Sequence, residues 1–292
     1  MGCVALDDMP AQTVLITGAA GRIGRLLRPR LAPHWRLRLC DFVEQEPARP
    51  GENVEVVDAA MADAAALARA VDGVDAVVHL AGISVEGAWP DILATNVDGT
   101  QRLLEACRRA GVGRVAIASS AHVAGFATRA DAQTDEGGRA VLPATSAPRP
   151  DTYYGVSKAA MEALGSLYAH RFGMHVVAIR IGTLTPRPVT DRAQAIWIGA
   201  DDIAALVAAS VDPAHVRPGF HVVWGTSDNA RRWTSLAEAR ALGYEPREDA
   251  AALVLGEQVR DDLTETENAY LGGTWTQVPL GEWLRPPPTP AR

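Results

Sequence analysis

The chain has 292 residues, of which 48% are hydrophobic and 22% charged, enough for one large domain or one domain with a smaller lobe. Its net charge of -7 and the lack of a basic run argue against a nucleic-acid-binding protein, and its three scattered cysteines suggest neither a disulfide framework nor a zinc site. No apolar run approaches the roughly 18 residues of a membrane span and no secretory signal precedes the first strand, so we expect a soluble cytoplasmic protein without a membrane partner.

Short apolar runs alternate with helical patterns over the first 182 residues. Strands separated by helices of about ten or more residues indicate βαβ units, so the pattern predicts an α/β fold: a doubly wound parallel (Rossmann) sheet with helices on both faces. The predicted strands are TVLITGAA, RLRLCDF, VEVVDA, DAVVHLAG, GRVAIASSA and MHVVAIRIGT. The predicted helices are GRIGRLLRPRLA, ADAAALARAVDG, ILATNVDGTQRLLEACRRAG and the stretch after Tyr154.

The pattern weakens after residue 182, where a helix (ADDIAALVAASVD), a short strand (GFHVVWGT) and a further helix (SLAEARALGY) are predicted. We therefore divide the chain into an N-terminal extension (1–12), a Rossmann domain (13–182), a small substrate-binding lobe interleaved with the sheet (183–284) and a disordered tail (285–292). The polar stretch 126–150 is too long for a tight turn, which suggests a lid or a mobile loop.

A glycine-rich turn, TGAAGRIG, joins the first predicted strand to the first predicted helix. Gly18 permits the turn, Gly21 lets a pyrophosphate approach the backbone and Gly24 allows close packing, so the turn predicts a dinucleotide site at the helix N-terminus. Asp41 ends the next strand, where an acid binds the ribose hydroxyls and repels a 2′-phosphate, which favours NAD over NADP. Arg22 inside the turn weakens that preference, and a surface charge or helix cap is the alternative for Asp41.

A tyrosine and a lysine stand four residues apart in YYGVSK. On a helix, Tyr154 and Lys158 share one face, and a nearby cation favours the phenolate, so the tyrosine could act as a base near neutral pH. Taken alone, the pattern arises often by chance, and an amphipathic helix with an aromatic residue at its start is then the favoured interpretation.

The ordered motifs GxxGxxG, HLAG, NVDGT, SSAHVAG and YGVSK resemble the extended short-chain dehydrogenase/reductase family over nearly the whole chain. This resemblance implies that Tyr154 is the catalytic acid/base, that Lys158 lowers its pKa and holds the nicotinamide ribose, and that Ser120 holds the reacting oxygen. Ser119 is the less favoured neighbour of Ser120. Tyr153 lies one residue off the motif and is assigned to packing or to a substrate contact.

The same resemblance implies the residues that hold the cofactor. Asp58 and Ala59 would meet the adenine, and Asn96 would brace the region of Lys158, with a helix cap as its alternative role. The full set expected to bind NAD is Gly18, Gly21, Arg22, Ile23, Gly24, Asp41, Asp58, Ala59, Leu80, Ala81, Gly82, Asn96, Tyr154, Lys158 and Ile181.

Within this family, most members act on nucleotide sugars and carry an asparagine after the sixth strand, where this chain has Thr183. The segments HLAGISVE, RIGTLTPRP and DRAQAIWIGADDIAALV resemble the uronate dehydrogenases of the family more closely. By position, Arg192 would bind the substrate carboxylate through its planar, bidentate guanidinium. The substrate-binding set implied is Ser84, Ser120, His122, Tyr154, Thr183 and Arg192. Ala121 departs from these enzymes, which tend to have asparagine there, and leaves the identity of the sugar open.

The resemblance implies an NAD-dependent oxidoreductase that oxidises a hexuronate such as glucuronate or galacturonate at C1 to an aldarolactone, with no metal. It also implies a homodimer or higher homo-oligomer formed through the long helices that hold Asn96 and Tyr154. Two alternatives stay open: an NAD-dependent epimerase or reductase acting on another sugar or natural-product intermediate, and a non-catalytic NAD-binding sensor.

Overall fold

The computed structural model describes residues 12–255 and 268–285. Its strands are β1 Thr13–Thr17, β2 Arg36–Asp41, β3 Val54–Asp58, β4 Ala76–His79, β5 Arg114–Ser120, β6 Gln133–Thr134, β7 Ala140–Val141, β8 His175–Ile181 and β9 Gly219–Gly225. The α-helices are α1 Arg22–Leu31, α2 Ala64–Val71, α3 Trp89–Ile92, α4 Gly99–Ala110, α5 Tyr153–Phe172, α6 Asp191–Ala195, α7 Ala200–Val211 and α8 Ala237–Arg240. A π-helix covers Leu93–Asp98, and 3₁₀ helices cover Ala121–Ala124, Arg129–Asp131, Pro213–His215, Ala250–Val254 and Gly273–Gln277.

Seven parallel strands form the main sheet in the order β3-β2-β1-β4-β5-β8-β9, with helices on both faces. The predicted α/β Rossmann-like class is thus confirmed. Its central strands are continuous apolar runs because helices cover both faces: every residue of β4 and β8 is buried. One core cluster joins α1 and α7 to the sheet, and a second joins α2, α4 and α5 to the opposite face.

The strand order reverses between β1 and β4, and the crevice of a doubly wound fold opens at such a point. Three polar or glycine-containing segments leave the sheet there: the turn after β1, the loop after β4 and the 3₁₀ helix after β5. The sheet therefore brings together the glycine turn, the HLAG motif and the SSAHVAG motif, which are far apart in the sequence.

Two features differ in detail from the sequence-based expectations. The predicted strand GFHVVWGT is β9, which pairs with β8 along its whole length and extends the main sheet. The predicted helix SLAEARALGY is only the four-residue α8, because a glycine and the buried Tyr244 follow at its end. The division into domains stays a prediction, and most of its extension (1–12) and tail (285–292) lies outside the described residues.

The stretch 126–150 is folded, and none of its residues lines the main cleft. It forms the β6–β7 hairpin and docks on the segment after β9, where the Leu142 N–H donates to the Trp233 carbonyl and the Trp224 indole donates to the Leu142 carbonyl. Leu142 is fully buried in this contact. The burial of its apolar residues beside β9 explains why the stretch lies away from the main cleft.

None of the described helices is both long enough and apolar enough to cross a membrane.

Candidate active site

A cleft of about 920 Å³ opens at the carboxyl ends of β1, β4, β5 and β8, near the upper end of the range usual for ligand pockets. Of the residues expected from the sequence to bind cofactor or substrate, all line this cleft except Gly24, Asp58 and Asn96. Gly24 packs against Ala19, where a Cβ would come within 2.3 Å of the carbonyl oxygen. Asp58 is exposed on β3, and Asn96 is buried behind the cleft wall.

The turn after β1 has the shape that a dinucleotide requires. Gly18 has φ +70, and a Cβ there would lie 2.5 Å from the backbone nitrogen of Ala81. Helix α1 begins at Arg22 after Gly21, and no side chain caps it, so its first N–H groups face the cleft. These donors and the helix dipole suit a pyrophosphate, so the residues present fit a bound dinucleotide.

Asp41 is fixed at the end of β2 by three backbone donors. Its Oδ2 accepts the Ala20 N–H at 2.9 Å, and its Oδ1 accepts the N–H groups of Phe42 and Val43 at 2.8 and 3.2 Å. The carboxylate therefore faces the cleft in a set position. Arg22, a cation that could attract a 2′-phosphate, donates instead to the Leu184 carbonyl across the cleft. Both arrangements favour ribose hydroxyls over a 2′-phosphate.

A π-helix places Asn96 behind the cleft. Its side chain pairs with both backbone groups of Ile83, at 2.7 and 2.9 Å, and donates to the Ser157 hydroxyl at 2.9 Å. Ser157 in turn donates to the Tyr154 carbonyl. Asn96 thus ties the loop after β4 to the helix that carries Tyr154 and Lys158, and a π-helix is a common device at functional sites.

Tyr154 and Lys158 share a buried face at the start of α5. The Lys158 ammonium donates to the Ala118 carbonyl at 2.7 Å and lies 5.6 Å from the centre of the Tyr154 ring. Burial raises the pKa of Tyr154 to about 12, against which a hydrogen bond from Ser120 acts. The same burial lowers the pKa of Lys158 to about 8. The expected lowering of the tyrosine pKa by the lysine is therefore outweighed here by desolvation.

The two serines at the end of β5 point in different directions. Ser119 donates to Glu162 at 2.6 Å, and Glu162 forms a buried bidentate ion pair with Arg180. Ser120 instead accepts from the His122 backbone N–H at 3.2 Å, and its side chain acts to lower the pKa of the Tyr154 phenol. Ser120 is the serine placed to touch a bound oxygen.

His122 and Asp151 form a buried pair on the sugar side of the cleft. The His122 Nδ1 lies 2.7 Å from Asp151, whose side chain is wholly buried, and the ring stacks on Trp275 with centroids 4.0 Å apart. Burial lowers the pKa of His122, so the ring is neutral near pH 7. With Nδ1–H donating to Asp151, Nε2 is left as an acceptor for a hydroxyl group.

Arg192 brings a cation to the same wall. Its Nε donates to the Leu271 carbonyl at 2.6 Å, and among the described residues no hydrogen-bond partner is found for its two terminal nitrogens, which face the cleft. No carboxylate of the described ranges 12–255 and 268–285 pairs with it. Burial lowers its pKa to about 10, so it stays charged near neutral pH. Thr183 lines the cleft nearby, with its backbone paired to Ile196 and Ile198.

Sequence reasoning missed four residues of this site. They share burial or aromatic character and come from segments read as loop or lobe: Glu86, Asp151, Trp275 and Trp283. The only signal for the last two was the pair of tryptophans in GGTWTQVPLGEW, a stretch without periodicity.

Comparisons with known proteins agree with this geometry. Residues 14–234 match the model of the NAD dependent epimerase/dehydratase family. The uronate dehydrogenase of Pseudomonas syringae pv. tomato is 39% identical over 86% of this chain and 87% of its own length. The NAD-dependent glucose-6-phosphate dehydrogenase of Haloferax volcanii is 36% identical over 82% of this chain and 95% of its own. The crystal structure of a mutant uronate dehydrogenase from Agrobacterium tumefaciens complexed with NAD superposes with a TM-score of 0.83 at 34% identity, covering 94% of this chain and all of that one.

Proposed function

The chain belongs to the NAD-dependent epimerase/dehydratase family, and on that basis we propose that it is a uronate dehydrogenase, which oxidises a hexuronate at C1 to an aldarolactone. It is an NAD-dependent oxidoreductase, and bound NAD⁺ supplies the hydride acceptor. The turn at Gly18 and Gly21 would hold the pyrophosphate, and Asp41 would bind the adenosine ribose.

One observation carries the choice of substrate: in the cleft wall that also holds His122, the two terminal nitrogens of the Arg192 guanidinium have no hydrogen-bond partner within the part of the chain that the structure describes. A desolvated cation without a protein carboxylate partner is a site for an anionic group of the ligand. A carboxylate at C6 of a hexuronate would meet it in bidentate fashion while C1 faces the phenol. Nε2 of His122 would accept a hydrogen bond from a ring hydroxyl.

Tyr154 is the group that takes the proton of the C1 hydroxyl. Ser120 orients the same oxygen, since it lines the cleft beside Tyr154 and acts to lower the pKa of the phenol. Lys158 supplies a cation 5.6 Å from the tyrosine ring and stabilises the phenolate as it forms. The buried surroundings of the pair strengthen these interactions and exclude water from the reacting centre.

A second candidate is a dehydrogenase of a hexose 6-phosphate. The similarity to a glucose-6-phosphate dehydrogenase favours it, and Arg192 would suit a phosphate at C6 as well as a carboxylate. Both candidates require the same reaction at C1, so they differ only in the group that Arg192 binds.

The decisive experiment is NADH formation, followed by absorbance, with glucuronate, galacturonate, glucose 6-phosphate and glucose as parallel substrates. Glucose is matched to glucuronate because it lacks only the carboxylate. We expect turnover of a uronate, weak turnover of glucose, and a fall in kcat of about 100-fold or more in Tyr154→Phe. A preference for glucose 6-phosphate would reject the uronate dehydrogenase in favour of the hexose 6-phosphate dehydrogenase. If NAD binds but no sugar is turned over, both candidate functions are rejected.

We further propose that the enzyme works in the cytoplasm as a homo-oligomer. Cys40 and Cys107 are free, buried thiols, as is usual in a reducing compartment. Helix α5 leaves Val156 and Leu167 38% and 51% exposed, an apolar stripe that a second copy of the chain would cover.

A further inference from the structure

Glu86 is a fully buried carboxylate in the loop after β4 that lies behind the reacting groups. Its Oε2 accepts the backbone N–H of Tyr154 at 2.9 Å, and its Oε1 accepts the backbone N–H of Gly281 at 2.8 Å. The two donors are separated from Glu86 by 68 and 195 positions in the chain. One side chain therefore joins the catalytic helix to the C-terminal part of the molecule.

At the catalytic helix, Glu86 acts as a cap supplied from a distant loop. The local cap, Thr152, accepts only the Gly155 N–H with its hydroxyl, at 3.0 Å. Glu86 satisfies the N–H of Tyr154, and an acid at this end also complements the helix dipole. The backbone position of the tyrosine thus depends on Glu86.

At its other end, Glu86 holds residues 270–285, which we call the C-terminal cover. A second bond, from the Leu284 N–H to the Glu86 carbonyl at 3.3 Å, fixes the same stretch. Trp283 packs on Gly87 so closely that a Cβ there would lie 2.7 Å from its ring. Trp283 also joins an apolar cluster that contains Tyr154.

The C-terminal cover forms the sugar side of the cleft. Leu271 accepts the hydrogen bond that orients Arg192, and Trp275 stacks on His122. Arg192 and His122, which would hold the sugar, contact the C-terminal cover, and Tyr154, which would deprotonate the sugar, is bonded to Glu86. Glu86 therefore connects both parts of the site.

We propose that Glu86 is a positioning residue that couples closure of the C-terminal cover to the placement of Tyr154. This inference rests on the proposed function in that the covered ligand is a sugar. Each carboxylate oxygen serves one of two separate elements. A group with one acceptor oxygen can serve only one of them and leaves the other buried N–H unpaired, which is costly.

The test compares Glu86→Gln and Glu86→Ala with Glu282→Gln, the same change at an exposed position of the C-terminal cover. In Glu86→Gln, we expect the amide oxygen to stay on Tyr154 and the amide nitrogen to repel Gly281. KM for the uronate should rise about 10-fold or more with kcat changed less than about threefold, whereas Glu86→Ala should also lower kcat. Glu282→Gln should match the wild type. Equal loss of kcat in both Glu86 variants with an unchanged KM would overturn the proposal.

Hydrogen exchange provides a readout that needs no sugar. In Glu86→Gln, amides of 268–285 should exchange faster while those of 153–165 keep the wild-type rate; uniform acceleration along the chain would mean a merely structural role and would overturn the proposal. This result stands even if no uronate is oxidised, so it separates failure of this inference from failure of the proposed function.

Discussion

At the scale of single residues, burial decides the ionisation of the candidate catalytic pair. Tyr154 is driven toward its neutral form and Lys158 also toward its neutral form, because both lie in the same desolvated pocket. Two groups so close lose their protons in steps that belong to the pair. The first step, at a pKa of about 8, removes one proton from the pair and leaves either an ammonium beside a phenolate or a neutral amine beside a phenol.

The pH dependence of oxidation follows from this pair. Oxidation requires the pair to take up the hydroxyl proton of the substrate, so the fully protonated pair is inactive and the rate rises as pH increases. We expect kcat/KM to climb through the step at a pKa of about 8. Steady-state rates from about pH 6 to about pH 10 would measure it. In Lys158→Met the step should vanish and the residual rate should rise only at higher pH; a flat wild-type profile, or the same step in the variant, would contradict this assignment.

Arg192 should control the choice between charged and neutral sugars. Removing one partner of a desolvated charge pair costs about 2–5 kcal/mol, so Arg192→Met should raise KM for a uronate by about 30-fold or more. The constants for glucose should change little. A parallel substitution of the exposed Arg231, which pairs with Asp191 outside the cleft, is the matched control. Equal losses for glucuronate and glucose would mean that Arg192 serves the fold rather than the carboxylate.

At the scale of elements, the turn between β1 and α1 is constrained twice. Gly18 adopts a positive φ, and it also lies against the backbone of the loop after β4. The second constraint is particular to this site, because it brings the glycine turn into contact with the loop that carries Leu80. The close approach shapes the floor on which a dinucleotide would lie.

Two glycine substitutions separate these constraints. Gly73 has φ +67 and open space where a Cβ would be, whereas a Cβ on Gly18 would lie 2.5 Å from Ala81. Gly73→Ala should lower the free energy of unfolding by about 1–2 kcal/mol and leave NAD affinity unchanged. Gly18→Ala should cost more and weaken NAD binding at least about tenfold. Thermal unfolding and calorimetric titration would measure both; equal NAD affinity in the two variants would remove the turn from the cofactor site.

Elements with strong periodicity could be predicted from the sequence, and segments held by distant contacts could not. The seven strands of the main sheet and the helices α1, α2, α4, α5 and α7 follow apolar patterns that local physics enforces, and the predicted strands end close to where the sheet ends. The C-terminal cover has no such pattern. Its place is set by Glu86 and by the carbonyls of Gly125 and Ala127, which accept from Gly272 and Leu271. Contacts of that range leave no trace in local sequence.

At the scale of the whole molecule, the candidate site also consists of residues that the sequence predicts and residues that only distant contacts place. Glycines, Asp41 and the YxxxK pair lie at the ends of predictable strands and helices, so the sheet topology itself brings them together. Asp151 could not be assigned in this way. Its role depends on its contact with His122, 29 positions earlier in the chain, and on Gly125 and Gly272, where any Cβ would collide with its carboxylate. The cofactor half of the site was therefore more accessible to sequence reasoning than the sugar half.

The exposed apolar face of helix α5 bears on the proposed association of the chain into a dimer. Helix α5 carries Tyr154 at its buried start and exposes Val156, Ala163 and Leu167 along one face. If a second copy covers this stripe, Leu167→Arg places an unpaired charge in the interface and should convert a dimer to a monomer with lower thermal stability. Leu255→Arg, at a leucine that is 82% exposed, is the matched control and should leave the mass unchanged. Light scattering measures both, and a wild-type protein that is monomeric at micromolar concentration would refute the interface. Because Val156 lies two residues from Tyr154, loss of the dimer should also lower the activity per subunit. Such a loss would show that the dimer contact helps to hold Tyr154 in its catalytic position.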